Sequence, residues 1–181
     1  MYPDLTSITR VCTIGAGPIG GGWAAHFLAR GYDVTAYIHD PSEHAALMSV
    51  VETGWVSLTA LGLADGASLD RLTVTSDLAE AVNGAGFIQE SAPENLALKQ
   101  KILAEIDRHA PATALICSST SGLRPTELQA GLSHPERFMV GHPFNPVYLL
   151  PLVEICGGEQ TSTKYKAQAA EIYPKRRSRW P

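Results

Sequence analysis

The sequence predicts an α/β fold, a doubly wound and mostly parallel sheet, and three observations lead to it. Short apolar, β-branched runs alternate with stretches of helical pattern along most of the 181 residues. The first of these runs ends in a glycine-rich turn, Gly15-Ala16-Gly17-Pro18-Ile19-Gly20. The residues with chemical character fall just after the predicted strands. Strand and helix in strict turn imply parallel pairing with both faces of the sheet covered. Ligands of such sheets sit beyond the carboxyl ends of the strands.

Residues 8–14 form the first strand, and the turn after them is a dinucleotide fingerprint, G-x-G-x-x-G. Its context gives it meaning: it follows a strand and opens a helical stretch, 19–30, that stops at Gly31. The first glycine permits the tight turn, the second lets a pyrophosphate approach the backbone, and the third lets the helix pack against the strand. The helix amino terminus then faces the phosphates. The sheet so begun is of the Rossmann type. A second strand, 33–39, ends at Asp40, twenty residues past Gly20. A carboxylate there can hold the adenosine ribose hydroxyls and would repel the extra phosphate of NADP, so NAD is the expected cofactor. Asp40-Pro41 can equally cap the next helix, and the two roles are compatible.

Residues 43–63 are helical in pattern, 71–76 form a strand, and Asp77-x-x-Glu80 reads as a capping box opening another helix. The alternation continues through strand 86–90, helix 95–109, strand 114–118, helix 125–131 and strand 138–141. Residues 161–173 read as a further helix. We therefore expect a dinucleotide-binding domain over 1–160. Residues 161–181 would open a second, helical unit and end in a basic, disordered tail, Pro174 to Pro181.

With 45% hydrophobic residues and a formal charge of −4, the chain can bury a real core and has no electrostatic reason to bind nucleic acid. No uninterrupted apolar run is long enough for a membrane span, and the amino terminus lacks the features of a signal peptide. Cytoplasm is the default location. Cys12, Cys117 and Cys156 lack C-x-x-C spacing and read as buried, reduced thiols. His26, His39, His44, His109 and His134 show no metal-ligand pattern, and no metal is expected.

The segment Gly141-His142-Pro143-Phe144-Asn145-Pro146, with Ser121 before it and Leu152-Val153-Glu154 after it, carries the chemistry. A secondary alcohol loses hydride to a nicotinamide only if its hydroxyl proton is removed, which calls for a base titrating near neutrality; histidine fits. Such a base works best with one ring nitrogen pinned by a carboxylate, which Glu154 could do for His142. Ser121 is placed to donate a hydrogen bond to the reacting oxygen. A histidine before a proline at a strand end can also be purely structural.

These runs, together with Ser119-Thr120-Ser121-Gly122-Leu123, resemble the L-3-hydroxyacyl-CoA dehydrogenase superfamily over roughly residues 8–173. Within it, Gln89-Glu90-Ser91-Ala92-Pro93-Glu94-Asn95-Leu96 and residues 143–151 are most similar to the branch that oxidises L-carnitine, with the gulonate dehydrogenase and lambda-crystallin branch a near relative. The resemblance implies that His142 is the base and Glu154 its partner. It implies that Ser121 and Asn145 hold substrate and nicotinamide, and that Glu94 and Lys99 contact NAD. Read physically, Lys99 can meet ribose or pyrophosphate oxygens or be a solvated helix charge, and residues 93–95 can be a plain helix start.

Two departures stand out. Family members reach the ribose-binding acid about seven residues after the glycine that ends the first helix, whereas Gly31 and Asp40 are nine apart, with Ile38-His39 extra. The family also carries an all-helical second domain that builds a homodimer, and the sequence reads as ending before it. The substrate expected is a small 3-hydroxy acid, L-carnitine first. Its quaternary ammonium would be met by an aromatic face, with Phe144 and Tyr148 the candidates unless they pack the core. The single helical run after the second strand argues for a small substrate. The alternatives are a 3-hydroxyacyl-CoA, L-gulonate, or a catalytically silent, crystallin-like NAD-binding chain.

Overall fold

The structure is a computed structural model that describes residue 5 and residues 7–173; the predicted basic tail lies outside the described residues. Seven strands form one sheet: β1 (Arg10–Ile14), β2 (Asp33–Tyr37), β3 (Leu72–Thr75), β4 (Phe87–Glu90), β5 (Leu115–Ser118), β6 (Phe138–Pro143) and β7 (Val153–Gly157). Their order is β3-β2-β1-β4-β5-β6-β7. Every pairing is parallel except the last, β6 with β7. The order reverses between β1 and β4, which opens a crevice at their carboxyl ends.

Side chains on a strand alternate between faces, and here both faces are apolar because helices cover both. Val11, Phe87, Leu115, Cys117 and Met139 point to a core shared with α1 (Pro18–Leu28), α2 (His44–Leu61) and α6 (Thr163–Ile172). Cys12, Ile88, Ile116, Phe138 and Val140 point the other way, to α3 (Leu78–Val82), α4 (Leu96–His109) and α5 (Pro125–Leu128). Burial of each large apolar side chain contributes about 1.5–3 kcal/mol, and Trp23, Phe27 and Phe87 are buried and stacked or tilted on one another in the first core. The helix expected to open a second unit, α6, sends Tyr165, Ala169 and Ile172 into this same core.

Two local expectations are corrected. Residues 125–131 give only the single turn of α5. The full capping box forms at Asp40 and Glu43, around the turn Pro41–Glu43, and not at Asp77. There the Glu80 N–H does donate to Asp77 Oδ1 (3.1 Å), but the Thr75 hydroxyl stands between the Glu80 side chain and the Asp77 backbone. It accepts from Asp77 N–H (3.1 Å) and donates to Glu80 Oε2 (2.7 Å), so Glu80 does not reach back to the cap backbone.

A buried clamp holds the amino end of β6. Arg137, fully buried, donates to Asp107 Oδ1 from Nε (3.1 Å) and Nη2 (2.7 Å), to Asp107 O, and to Pro111 O. Burial pushes the Asp107 carboxyl up, but the hydrogen bonds and charge of Arg137 and the N–H groups of Ser133 and His134 more than offset it. The net result is a carboxyl held below its ordinary range.

Candidate active site

The turn after β1 is shaped by two glycines. Gly15 has φ +108°, and a Cβ on it would lie 2.8 Å from Ser91 O. A Cβ on Gly20 would lie 2.1 Å from Gly15 O, so only glycine lets the helix begin this close to the turn. Helix α1 starts with Pro18 at its first position and has no side-chain cap on its amino terminus. Its first N–H groups are thus left for an external acceptor, and the Gly17 Cα faces open space. An anion such as a pyrophosphate fits this terminus.

Beside it lies a cavity of about 700 Å³, lined by Gly15, Tyr37, His39, Glu43, Leu98 and Ile102 among others. It is apolar for an adenine, with polar groups toward β2. Gly15–Gly20, in sequence Gly-Ala-Gly-Pro-Ile-Gly, all stand at this end of the sheet. Asp40 does too, but it is exposed and turned into its cap, where Oδ1 accepts from Ser42 N–H (2.8 Å). The hydrogen bonds from Ser42 hold the Asp40 carboxyl below its ordinary range.

The histidine and its acid come from one hairpin. In the antiparallel register of β6 and β7, His142 stands opposite Glu154, and directly opposite residues share a face. Nδ1 of His142 and Oε2 of Glu154 are 2.9 Å apart. A carboxylate only accepts, so the Nδ1–H donates and Nε2 is left as the acceptor. His142 is partly buried and Glu154 is largely exposed, at 64%. The Phe144 ring lies 5.8 Å from the imidazole, centroid to centroid, and is exposed. Tyr148 instead packs against α1 and α2, its Cδ1 close to the Cα positions of Gly22 and Gly54. Asn145 follows in the exposed loop. Ser118 of β5 pairs with Val140 of β6, so the exposed loop carrying Ser121 leaves the sheet at the end where His142 stands.

Beneath the site lies a polar network in which the sequence reading singled out Glu94 and Lys99 but assigned no role to Gln89 and Glu90. Glu90 at the end of β4 is fully buried; Oε1 accepts from Lys99 Nζ (2.8 Å) and Ala92 N–H (2.5 Å), and Oε2 from the Ser118 hydroxyl (2.5 Å). Lys99, also buried, donates a second bond to Ala92 O (2.8 Å). Glu94 Oε1 accepts from Thr120 Oγ1, Ser121 N–H and Gly122 N–H. Burial raises the Glu94 carboxyl, but these bonds and the Lys99 charge outweigh it and hold the group below its ordinary range. Lys99 and Glu94 thus tie the segment after β4 to the loop that carries Ser121. On the other side, Gln89 donates to Ser119 Oγ (2.9 Å) and Gly141 O (3.2 Å) and accepts from Tyr173 Oη (2.7 Å). A Cβ on Gly141 would collide with that tyrosine hydroxyl. The signal available in the sequence was a polar pair, Gln89-Glu90, at the end of an otherwise apolar buried strand.

A doubly wound sheet with a glycine turn at an uncapped helix terminus, and a histidine–carboxylate pair on β6 and β7, the second and third strands past β4, defines a dinucleotide-dependent dehydrogenase domain. The chain belongs to the family described as 3-hydroxyacyl-CoA dehydrogenase, NAD binding domain, which matches residues 10–178. It is 53% identical over 167 residues to an L-carnitine dehydrogenase of Streptomyces coelicolor, covering 92% of this chain and 52% of that protein. It is 54% identical over 166 residues to an L-carnitine dehydrogenase of Streptomyces griseus, covering 92% and 50%. Among solved structures, it is similar to an NAD+-dependent 5-formyl-3-hydroxy-2-methylpyridine 4-carboxylic acid 5-dehydrogenase, with TM-score 0.84 and 33% identity, covering 92% of this chain and 54% of that one. The chain spans about half the length of the curated relatives it matches. NAD is the cofactor of the family's domain, and no helix among the described residues is long and apolar enough to cross a membrane.

Proposed function

We propose that this domain serves the NAD-dependent oxidation of the 3-hydroxyl of a small hydroxy acid, L-carnitine being the substrate favoured. The observation that carries the reading is the 2.9 Å pairing of His142 Nδ1 with Glu154 at the carboxyl end of β6. Bound NAD supplies one thing the chain lacks, an acceptor for the hydride of the carbinol carbon. His142 Nε2 takes the hydroxyl proton, and Glu154 stabilises the imidazolium that results. Ser121 donates to the reacting oxygen, and Asn145 holds substrate and nicotinamide. Glu94 contacts NAD, as the resemblance implies, whereas Lys99, expected to do the same, is buried on Glu90 and Ala92 O and serves the cofactor by fixing the backbone beside it. The exposed face of Phe144, next to the imidazole, suits a quaternary ammonium, which has no hydrogen to donate. The names of the relatives support carnitine over a 3-hydroxyacyl-CoA or gulonate. The reading includes a cytoplasmic location and, for the full-length class, a homodimer.

The test is NADH formation at alkaline pH with L-carnitine, 3-hydroxybutyrate, gulonate and a 3-hydroxyacyl-CoA, comparing the chain with its His142→Ala variant. Turnover of carnitine that disappears in the variant is the expected result. Turnover that survives in His142→Ala refutes the assignment of the base. No turnover with any substrate while NAD binds in a parallel titration would make this chain a silent cofactor-binding domain.

A further inference from the structure

We propose that Glu43, and not Asp40, is the acid that holds the adenosine ribose in this chain and sets its preference for NAD over NADP. The proposal rests on the NAD reading of the cavity beside the glycine turn.

The two extra residues before Asp40 change what the end of β2 delivers. Pairing of β2 with β3 ends at Tyr37 opposite Thr75. Ile38 still donates its N–H to Thr75 O (3.0 Å) and is buried, so the chain leaves the sheet only at His39 and Asp40. Asp40 then falls at the start of the turn Pro41–Glu43, exposed and outside the cavity, with Oδ1 accepting from Ser42 N–H. Glu43 lines the cavity, together with His39 and Tyr37.

Glu43 has the chemistry the position needs. Its Oε2 accepts from His39 N–H (2.9 Å) and Asp40 N–H (3.4 Å), which fixes the side chain as half of the capping box. Among the described residues Oε1 has no hydrogen-bond partner. A fixed carboxylate with one oxygen available can accept from a ribose hydroxyl and would repel a 2′-phosphate. The basic side chains lining the same cavity are His39 and Lys101, and Lys101 has Glu105 one turn further along α4. The turn that leads into α2 thus supplies the acid.

The experiment is calorimetric titration of the chain with NAD and with NADP, in the unsubstituted protein and in Glu43→Gln and Asp40→Asn. Both substitutions keep a side-chain oxygen to accept the capping N–H, and matching thermal melts verify that the fold is kept. Glu43→Gln is expected to weaken NAD by roughly tenfold or more, the cost of a charge-assisted hydrogen bond, and to narrow the NAD/NADP ratio. Asp40→Asn is expected to change neither by more than about twofold. The reverse pattern, or NAD binding insensitive to Glu43→Gln, overturns the assignment alone. Absence of NAD binding by the unsubstituted chain overturns the NAD reading and the assignment with it.

Discussion

Replacing Lys99 with methionine should destabilise the fold far more than loss of an ordinary lysine. The ammonium is 1% exposed, its partner Glu90 is 0% exposed, and they are 2.8 Å apart. At an effective dielectric near 20 the gross attraction at that distance is about 6 kcal/mol, much of it offset by desolvation of both groups. Methionine fills the space but leaves the Glu90 carboxylate buried with only Ala92 N–H and the Ser118 hydroxyl as donors. Breaking one side of such a pair costs about 3–5 kcal/mol, against total stabilities of about 5–15 kcal/mol. For a domain of this size that is a fall in Tm of roughly 6–20 °C. Urea unfolding followed by circular dichroism measures it directly. A double variant, Lys99→Met with Glu90→Gln, should lose clearly less than the sum of the two single losses, because the stranded charge is gone. A loss below about 1 kcal/mol in Lys99→Met, or strict additivity in the double variant, would refute the reasoning.

Three more expectations follow from the geometry. Glu154→Gln should lower kcat of the proposed oxidation on the order of 10²-fold; the loss is smaller than the ~10⁴ of a buried triad aspartate because Glu154 is 64% exposed, and unchanged turnover would show that the pair is not functional. Asp107 has a depressed carboxyl, so its stabilising contribution is complete above its unfolded value near 3.9 and is lost as pH falls through the lower folded value. The gap in urea midpoint between the protein and Asp107→Asn should therefore be constant from about pH 7 to 5 and close below about pH 4; a gap that closes near neutrality would contradict the clamp. Burial raises the Cys12 thiol and pushes Cys117 up to about 12, against a smaller opposing hydrogen bond from Tyr173, whereas Cys156 is exposed. A colorimetric thiol reagent at neutral pH should titrate one cysteine in the native protein and all three in denaturant, and rapid native reaction of a second thiol would show that one of the buried pair is accessible.

The sequence made the sheet legible chiefly at β1, β5 and β6, where both faces are covered and the strand reads as a largely apolar run bounded by turn residues. The glycine turn and the His142 region were legible for the same reason that they are rigid: few residue types satisfy Gly15 at φ +108° or Gly20 against Gly15 O. Cys156, expected to be buried, is exposed on β7, and nothing in spacing alone said that this strand runs antiparallel or that Glu154 would stand opposite His142. Lys99 reads as a helix cation because its partner, Glu90, is nine residues away on a strand. The capping boxes show the limit most clearly. Asp40-x-x-Glu43 and Asp77-x-x-Glu80 share a pattern, and the position of one hydroxyl, that of Thr75, decides which of them closes.

The hairpin of β6 and β7 separates two tasks that share a site. His142 and Glu154, the proposed base and its partner, are locked by strand register, while residues 144–152 between them form a connection whose ends the sheet holds in place. That connection carries Phe144 and the exposed Leu149, Leu150 and Leu152. Val147 and Tyr148 anchor the loop on α1 and α2, but its exposed side chains can change without moving the proposed proton acceptor. On the proposed reading, a lineage can therefore explore new substrates by rewriting the exposed part of one loop, keeping the same oxidation at its foot.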